Sequence, residues 1–163
     1  MWARTLKTLH EVSAVGVLGA LAASLVLLWI ADPGQATEFA TIRRAISALN
    51  RFLLLPSLLL VLCTGLLSIA ATESYKNAGW AWAKAASGVI TFEATLQAVG
   101  AGAKRAEALA IAAAEGEGDP AALAEVLSSE WGTLWLLVVL SLANILLAVW
   151  RPRFGRRPAA LPP

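Results

Sequence analysis

The chain has 163 residues, of which 58% are hydrophobic and only 15% charged. Soluble domains carry about a quarter charged residues, and the apolar residues here fall in long blocks. A net charge of +2, with basic residues gathered at block ends, argues against a nucleic-acid surface. One cysteine and one histidine exclude a disulfide framework and any multi-cysteine or multi-histidine metal cluster.

The first apolar block, 12–31, follows the basic segment "MWARTLK" and the pair His10–Glu11. It is about twice as long as the apolar region of a cleaved signal peptide, so it reads as a retained transmembrane helix. After the breaker "ADPG", Thr37 is the expected N-cap of a helix with Phe39, Ile42, Ile46 and Leu49 at helical spacing. That helix continues into the second block, 52–71, where Pro56 predicts a kink. Cys63 lies in the same block and reads as a packing residue, because apolar surroundings disfavour a thiolate.

The third block, 78–102, is the least hydropathic because it carries Lys84, Glu93 and Gln97. An alanine-rich stretch then runs to about Glu115 and breaks at "GEGDP". There Gly116 or Gly118 stops one helix, Asp119 caps the next, and Pro120 suits its first turn. The fourth block is 131–150. The expected fold is all-α: a single-domain, four-helix transmembrane bundle over 1–150, with helices two to four extended beyond the membrane. Residues 151–163 read as a basic disordered tail.

Four crossings put both termini on one side, with eight Lys and Arg there against five on the other. That bias predicts cytoplasmic termini. Trp2, Trp80, Trp82 and Trp150 fall on the terminal side and Trp29, Trp131 and Trp135 on the other, as two aromatic belts would.

The same topology places His10 and Lys84 at similar depth, just inside the terminal-side surface, with Ser68 and Asn144 coming down to that level. His10 shares a helix face with Ser13, Val17, Ala20 and Ser24; Lys84 shares one with Ser87, Gly88, Thr91 and Thr95. Both faces are small and weakly polar, as bundle-facing surfaces are. The plain readings are an interfacial histidine bonded to a backbone carbonyl and a lysine that snorkels to the headgroups. The functional reading is a single axial haem ligand, the one metal role open to a lone histidine.

Glu93 lies nine residues beyond Lys84, roughly 14 Å of helix rise, too deep for snorkelling. Its carboxyl must be neutral, paired or facing a wet cavity. Asn144, Thr64 and Arg51 are its candidate partners. A protonated structural staple and a ligand or proton path lined by Glu93 and Gln97 both remain open.

The segments "LKTLHEVSAVGVLGALAASLVL", "LLLPSLLLVLCTGLLSI" and "GWAWAKAASGVITF" resemble, in order, the first three helices of small bacterial four-helix membrane proteins. These are the HemJ-type protoporphyrinogen oxidases, the CopD-type copper-resistance proteins and an uncharacterised family of predicted integral membrane proteins near them. The shared features are the histidine opening helix one, "P…TGL" in helix two and "W…K" opening helix three, over about residues 5–100. The uncharacterised branch fits more closely, since HemJ-type proteins carry further histidines. The resemblance implies a multi-pass protein of the bacterial inner membrane. It also implies His10 and Lys84 as the catalytic and cofactor-binding pair, with haem b as cofactor and a redox role. Two other classes stand beside this: a non-catalytic subunit or scaffold, meeting a second copy or a membrane-complex partner, and a transporter of a small ligand or metal. In each, the lipid bilayer is a partner and nucleic acid is not.

Overall fold

The computed structural model describes residues 2–150, apart from the side chains of Ala3, Ser74, Gln97, Ala98, Gly100 and Leu147. The expected basic tail, 151–163, lies outside the described residues. Regular structure among the described residues is helical: α1 (Trp2–Ile30), α2 (Ala36–Leu49), α3 (Leu55–Ala71), a single turn α4 (Glu73–Lys76), α5 (Gly79–Thr95), α6 (Gly102–Ala114) and α7 (Pro120–Trp150). Two π-helical turns, Asn50–Leu54 and Leu96–Ala101, join α2 to α3 and α5 to α6 without a break.

The seam between α1 and α3 organises the core. Along α1 the buried residues are Leu6, Ser13, Val17, Ala20, Leu21, Ser24 and Leu28. They fall on one face and make a continuous stripe. Opposite them stand Leu54, Ser57, Leu58 and Thr64, buried on α3 and the turn before it. Gly16 marks the closest approach. A Cβ there would stand 2.5 Å from Ser57 Oγ and 3.2 Å from its Cβ, so only the missing side chain lets the helices meet this closely.

Pro56 acts through register. Its ring nitrogen has no hydrogen, so in an α-helix the carbonyl four residues earlier would lack a donor. The π turn directly precedes it, with the Leu55 N–H reaching back five residues to the Asn50 carbonyl. Shifting the ladder by one residue offers that orphaned carbonyl the next N–H along. The expected kink is therefore a π turn placed before Pro56.

Among the described residues, three stretches are long and apolar enough to cross a membrane: Arg4–Ile30, Ala36–Ala71 and Pro120–Trp150. The expected third span is helical from Gly79 onward, but Lys84, Glu93 and its many alanines leave it less apolar than these three. α1 packs on α3, α3 on α5, α5 on α7, and α7 returns to α1. At the side opposite the chain ends, α2 packs on α6 and α6 on α7. There Ala103, Ala106 and Ala110 form a small-residue ridge, and Phe39, Ala40, Ala110 and Leu123 make a second core cluster.

The connections follow local chemistry. Asp32 Oδ1 accepts the Gly34 N–H at 2.8 Å, and α2 starts after Gln35. Thr37 is thus inside the helix and not its cap; its carbonyl accepts the Thr41 hydroxyl. α6 ends as expected. Gly116 takes φ +84°, the Glu117 N–H bonds the Ala112 carbonyl and the Gly116 N–H bonds the Ala113 carbonyl, a Schellman pair. A Cβ at Gly118 would sit 2.7 Å from Ala113 Cα. Asp119 Oδ1 then caps α7, accepting the N–H groups of Ala121 and Ala122.

One ion pair ties α2 to α7. Arg43 Nη1 and Nη2 donate to the two carboxylate oxygens of Glu130 at 2.6 and 3.0 Å. The side chains are 0% and 10% exposed. Trp29 and Trp131 meet edge to face nearby in the chain, with centroids 6.2 Å apart.

Two outcomes test this packing. Arg43→Leu or Glu130→Leu alone strands a buried charge and should lower stability in mixed micelles by about 3–5 kcal/mol, while the double variant recovers most of the loss. Gly118→Ala should lower the unfolding midpoint clearly more than Gly19→Ala, because a Cβ at Gly19 meets nothing within 4 Å.

Candidate functional site at the terminal side

His10 lies on the buried stripe of α1, half-buried, one turn before Ser13. Its Nδ1 is 3.1 Å from the Val61 carbonyl oxygen and 3.0 Å from Thr64 Oγ1. Thr64 donates its own hydroxyl hydrogen to the Leu60 carbonyl at 2.6 Å, so its oxygen faces His10 as an acceptor. A carbonyl can only accept, so Nδ1 carries a hydrogen, shared between Val61 and Thr64. Gly65 lies beneath the ring: a Cβ there would stand 3.5 Å from the His10 Cε1 carbon. "CTGL" is therefore a seat, in which threonine supplies the acceptor and glycine leaves room beside the ring.

This anchoring sets the other nitrogen. With Nδ1 protonated, Nε2 of the neutral ring is a lone pair, able to take a proton or bind a metal. Both hydrogen-bond contacts of the ring among the described residues fall on Nδ1.

Lys84 is partly buried on the face of α5 that carries Ala81, Ser87, Gly88, Thr91 and Thr95, the inward face. It lies within electrostatic reach of His10, and Glu11 lies within reach of both. Glu11 joins the two residues expected from topology as a further charged group acting on His10. Asn144 ties α7 to the same level, its Nδ2 donating to Ser87 Oγ at 2.8 Å and to the Leu140 carbonyl at 3.0 Å. Among the described residues there is no cluster of three or more His, Cys, Asp or Glu that could hold a bare metal ion.

Glu93 is placed differently from the interior path expected for it. It is exposed on an outward stripe with Val89, Ile90 and Leu96, away from the inward Thr91 and Thr95. Two of its candidate partners are engaged elsewhere, Asn144 with Ser87 and Thr64 with His10. The side chain of Gln97 lies outside the described residues. Cys63 is exposed and so does not pack in the core, because its position on α3 points away from the seam.

The pair Arg43–Glu130 escaped sequence reasoning, although a signal was there. Arg43 sits four residues after Phe39 and three before Ile46, squarely on the apolar face of α2. An arginine on such a face needs a buried acid.

Because His10 is the only histidine, nitrogen-15 histidine labelling reports its tautomer directly. The neutral ring should show a protonated Nδ1 and a bare Nε2. Thr64→Val and Gly65→Leu should each shift that spectrum toward a tautomer mixture, because one removes an acceptor and the other fills the seat.

Comparison with known proteins adds a family and nothing closer. No curated protein and no solved structure matches the chain. A family model described as "Predicted integral membrane protein (DUF2269)" matches residues 4–152, nearly the whole described helical body. The chain therefore belongs to this family of integral membrane proteins.

Proposed function

We propose that the chain is a four-helix transmembrane bundle of the bacterial inner membrane, its termini cytoplasmic. Its terminal-side site takes a haem- or porphyrin-type ligand, with His10 as the single axial donor. The observation that carries this reading is the anchored imidazole: Nδ1 bound to Val61 and Thr64 leaves Nε2 as a directed lone pair. Metal-ligating histidines are fixed in this way through their second nitrogen. A haem would supply one-electron redox chemistry when bound. Lys84 contributes a positive charge for a ligand carboxylate, and Glu11 sets the local charge balance. Gly65 adds no side chain beside the ring.

The donor chemistry fits haem better than a bare metal ion, which needs several ligands that the described residues do not gather.

A second reading is a membrane subunit that docks to another chain. Its docking surface would be α2 and α6, which pack together at the side opposite the chain ends. The transport reading loses its interior carboxyl, because Glu93 is exposed.

The test is the visible spectrum of the detergent-purified protein, as isolated and after haemin addition. A Soret band that titrates to one equivalent and is lost in His10→Ala is expected. Thr64→Val should weaken binding by about 10- to 100-fold, the usual effect of removing a ligand's supporting bond. A spectrum unchanged by haemin, or a Soret band that survives His10→Ala, contradicts the reading. A stable oligomer without haem uptake would favour the subunit instead.

A further inference from the structure

Four polar atoms in the other half of the molecule are buried without a hydrogen-bond partner among the described residues: Ser24 Oγ, Arg43 Nε, Ser47 Oγ and Asn50 Oδ1. Ser24 is 0% and Asn50 4% exposed. Arg43, Ser47 and Asn50 stand four and three residues apart and share one helix face. Ser24 joins them through the register of the seam. Gly16 faces Ser57 and His10 faces Thr64. Eight residues onward from Gly16 is about 12 Å, and seven residues back from Ser57 is about 10.5 Å. Ser24 therefore stands level with Asn50.

Both π turns meet at this depth. Asn50 opens the first, and the first packs against the second. A π turn is wider than α-helix and recurs where a helix makes room for something at a functional site. Buried polar groups are satisfied as a rule, and exceptions mark an unseen water or ion.

The donor set selects the occupant. Asn50 Oδ1 only accepts, Arg43 Nε–H only donates, and the two serine hydroxyls do either. The guanidinium disfavours a cation, and the Glu130 carboxylate with Asn50 Oδ1 disfavours an anion. A small neutral molecule that both donates and accepts fits. The geometry points to a cluster of bound water at the π junction, reached from the side opposite the chain ends. Its entrance is the cavity of about 170 Å³ lined by Arg105, Glu125, Ser129, Glu130 and Thr133. Glu130 both lines that cavity and holds Arg43, so the ion pair forms the inner wall of the inlet. The inlet ends in the bundle interior at Ser24, short of the His10 site.

Radiolytic hydroxyl labelling of the full chain in detergent tests this, since bound water generates radicals beside buried side chains. Ile46 and Leu54 flank the junction, and Leu58, also buried and slightly more exposed than they are, lies one turn beyond it. Ile46 and Leu54 should be labelled several times faster than Leu58. Ser24→Ala with Asn50→Leu should bring them down to the Leu58 rate and lower the thermal midpoint. Equal labelling of all three in the unaltered chain overturns the proposal. So does a midpoint that holds or rises in the double variant, because dry, orphaned groups are better removed.

Discussion

The close meeting of α1 with α3 at Gly16 and Ser57 fixes the rest of the molecule. Two helices that touch at a point without a side chain between them have little freedom to slide, because any shift drives a Cβ or hydroxyl into the partner backbone. That contact sets the depth of everything else on the two helices. Toward the chain ends it delivers His10 to the acceptors Val61 and Thr64. Away from them it carries Ser24 to the level of Asn50. One small residue thus determines the environment of two polar sites at opposite ends of the seam.

Polar groups are distributed by how each can be satisfied away from water. His10 uses a carbonyl and a hydroxyl that the helix already provides. Thr64, Thr91 and Thr95 return their hydroxyls to carbonyls of their own helices. Arg43 has Glu130 in a two-pronged geometry that a lysine would not reproduce. The remaining atoms cluster where two π turns pack together, which is where a helix has space to spare. The terminal side therefore offers a directed nitrogen lone pair, and the opposite side offers a mixed donor–acceptor pocket.

Much of this was legible in the sequence, for physical reasons. Apolar blocks of membrane length announced the spans of α1, α3 and α7. Gly116, Asp119 and Pro120 act through local backbone chemistry, so their roles survived intact. The similar depth of His10 and Lys84 follows from topology alone. Other features depend on rotation or register, which a single chain does not reveal. Glu93 sits on the outer stripe because α5 turns Thr91 and Thr95 inward. Cys63 faces outward because Thr64 takes the seam. The π turn at Asn50–Leu54 follows from the donor that Pro56 lacks, whereas the turn at Leu96–Ala101 has no proline to announce it. Arg43 looked like a topological charge until α7 brought Glu130 to it.

The register of α1 against α3 is the claim on which both sites rest, and disulfide trapping reads it directly. In a Cys63→Ala background, Gly16→Cys paired with Ser57→Cys should close an intrachain disulfide under mild oxidation, because the two Cβ positions nearly touch. Gly19→Cys paired with Ser57→Cys should stay reduced, since a Cβ at Gly19 meets no neighbour. The reverse pattern, with the Gly19 pair cross-linked and the Gly16 pair reduced, would contradict the register and with it the anchored histidine.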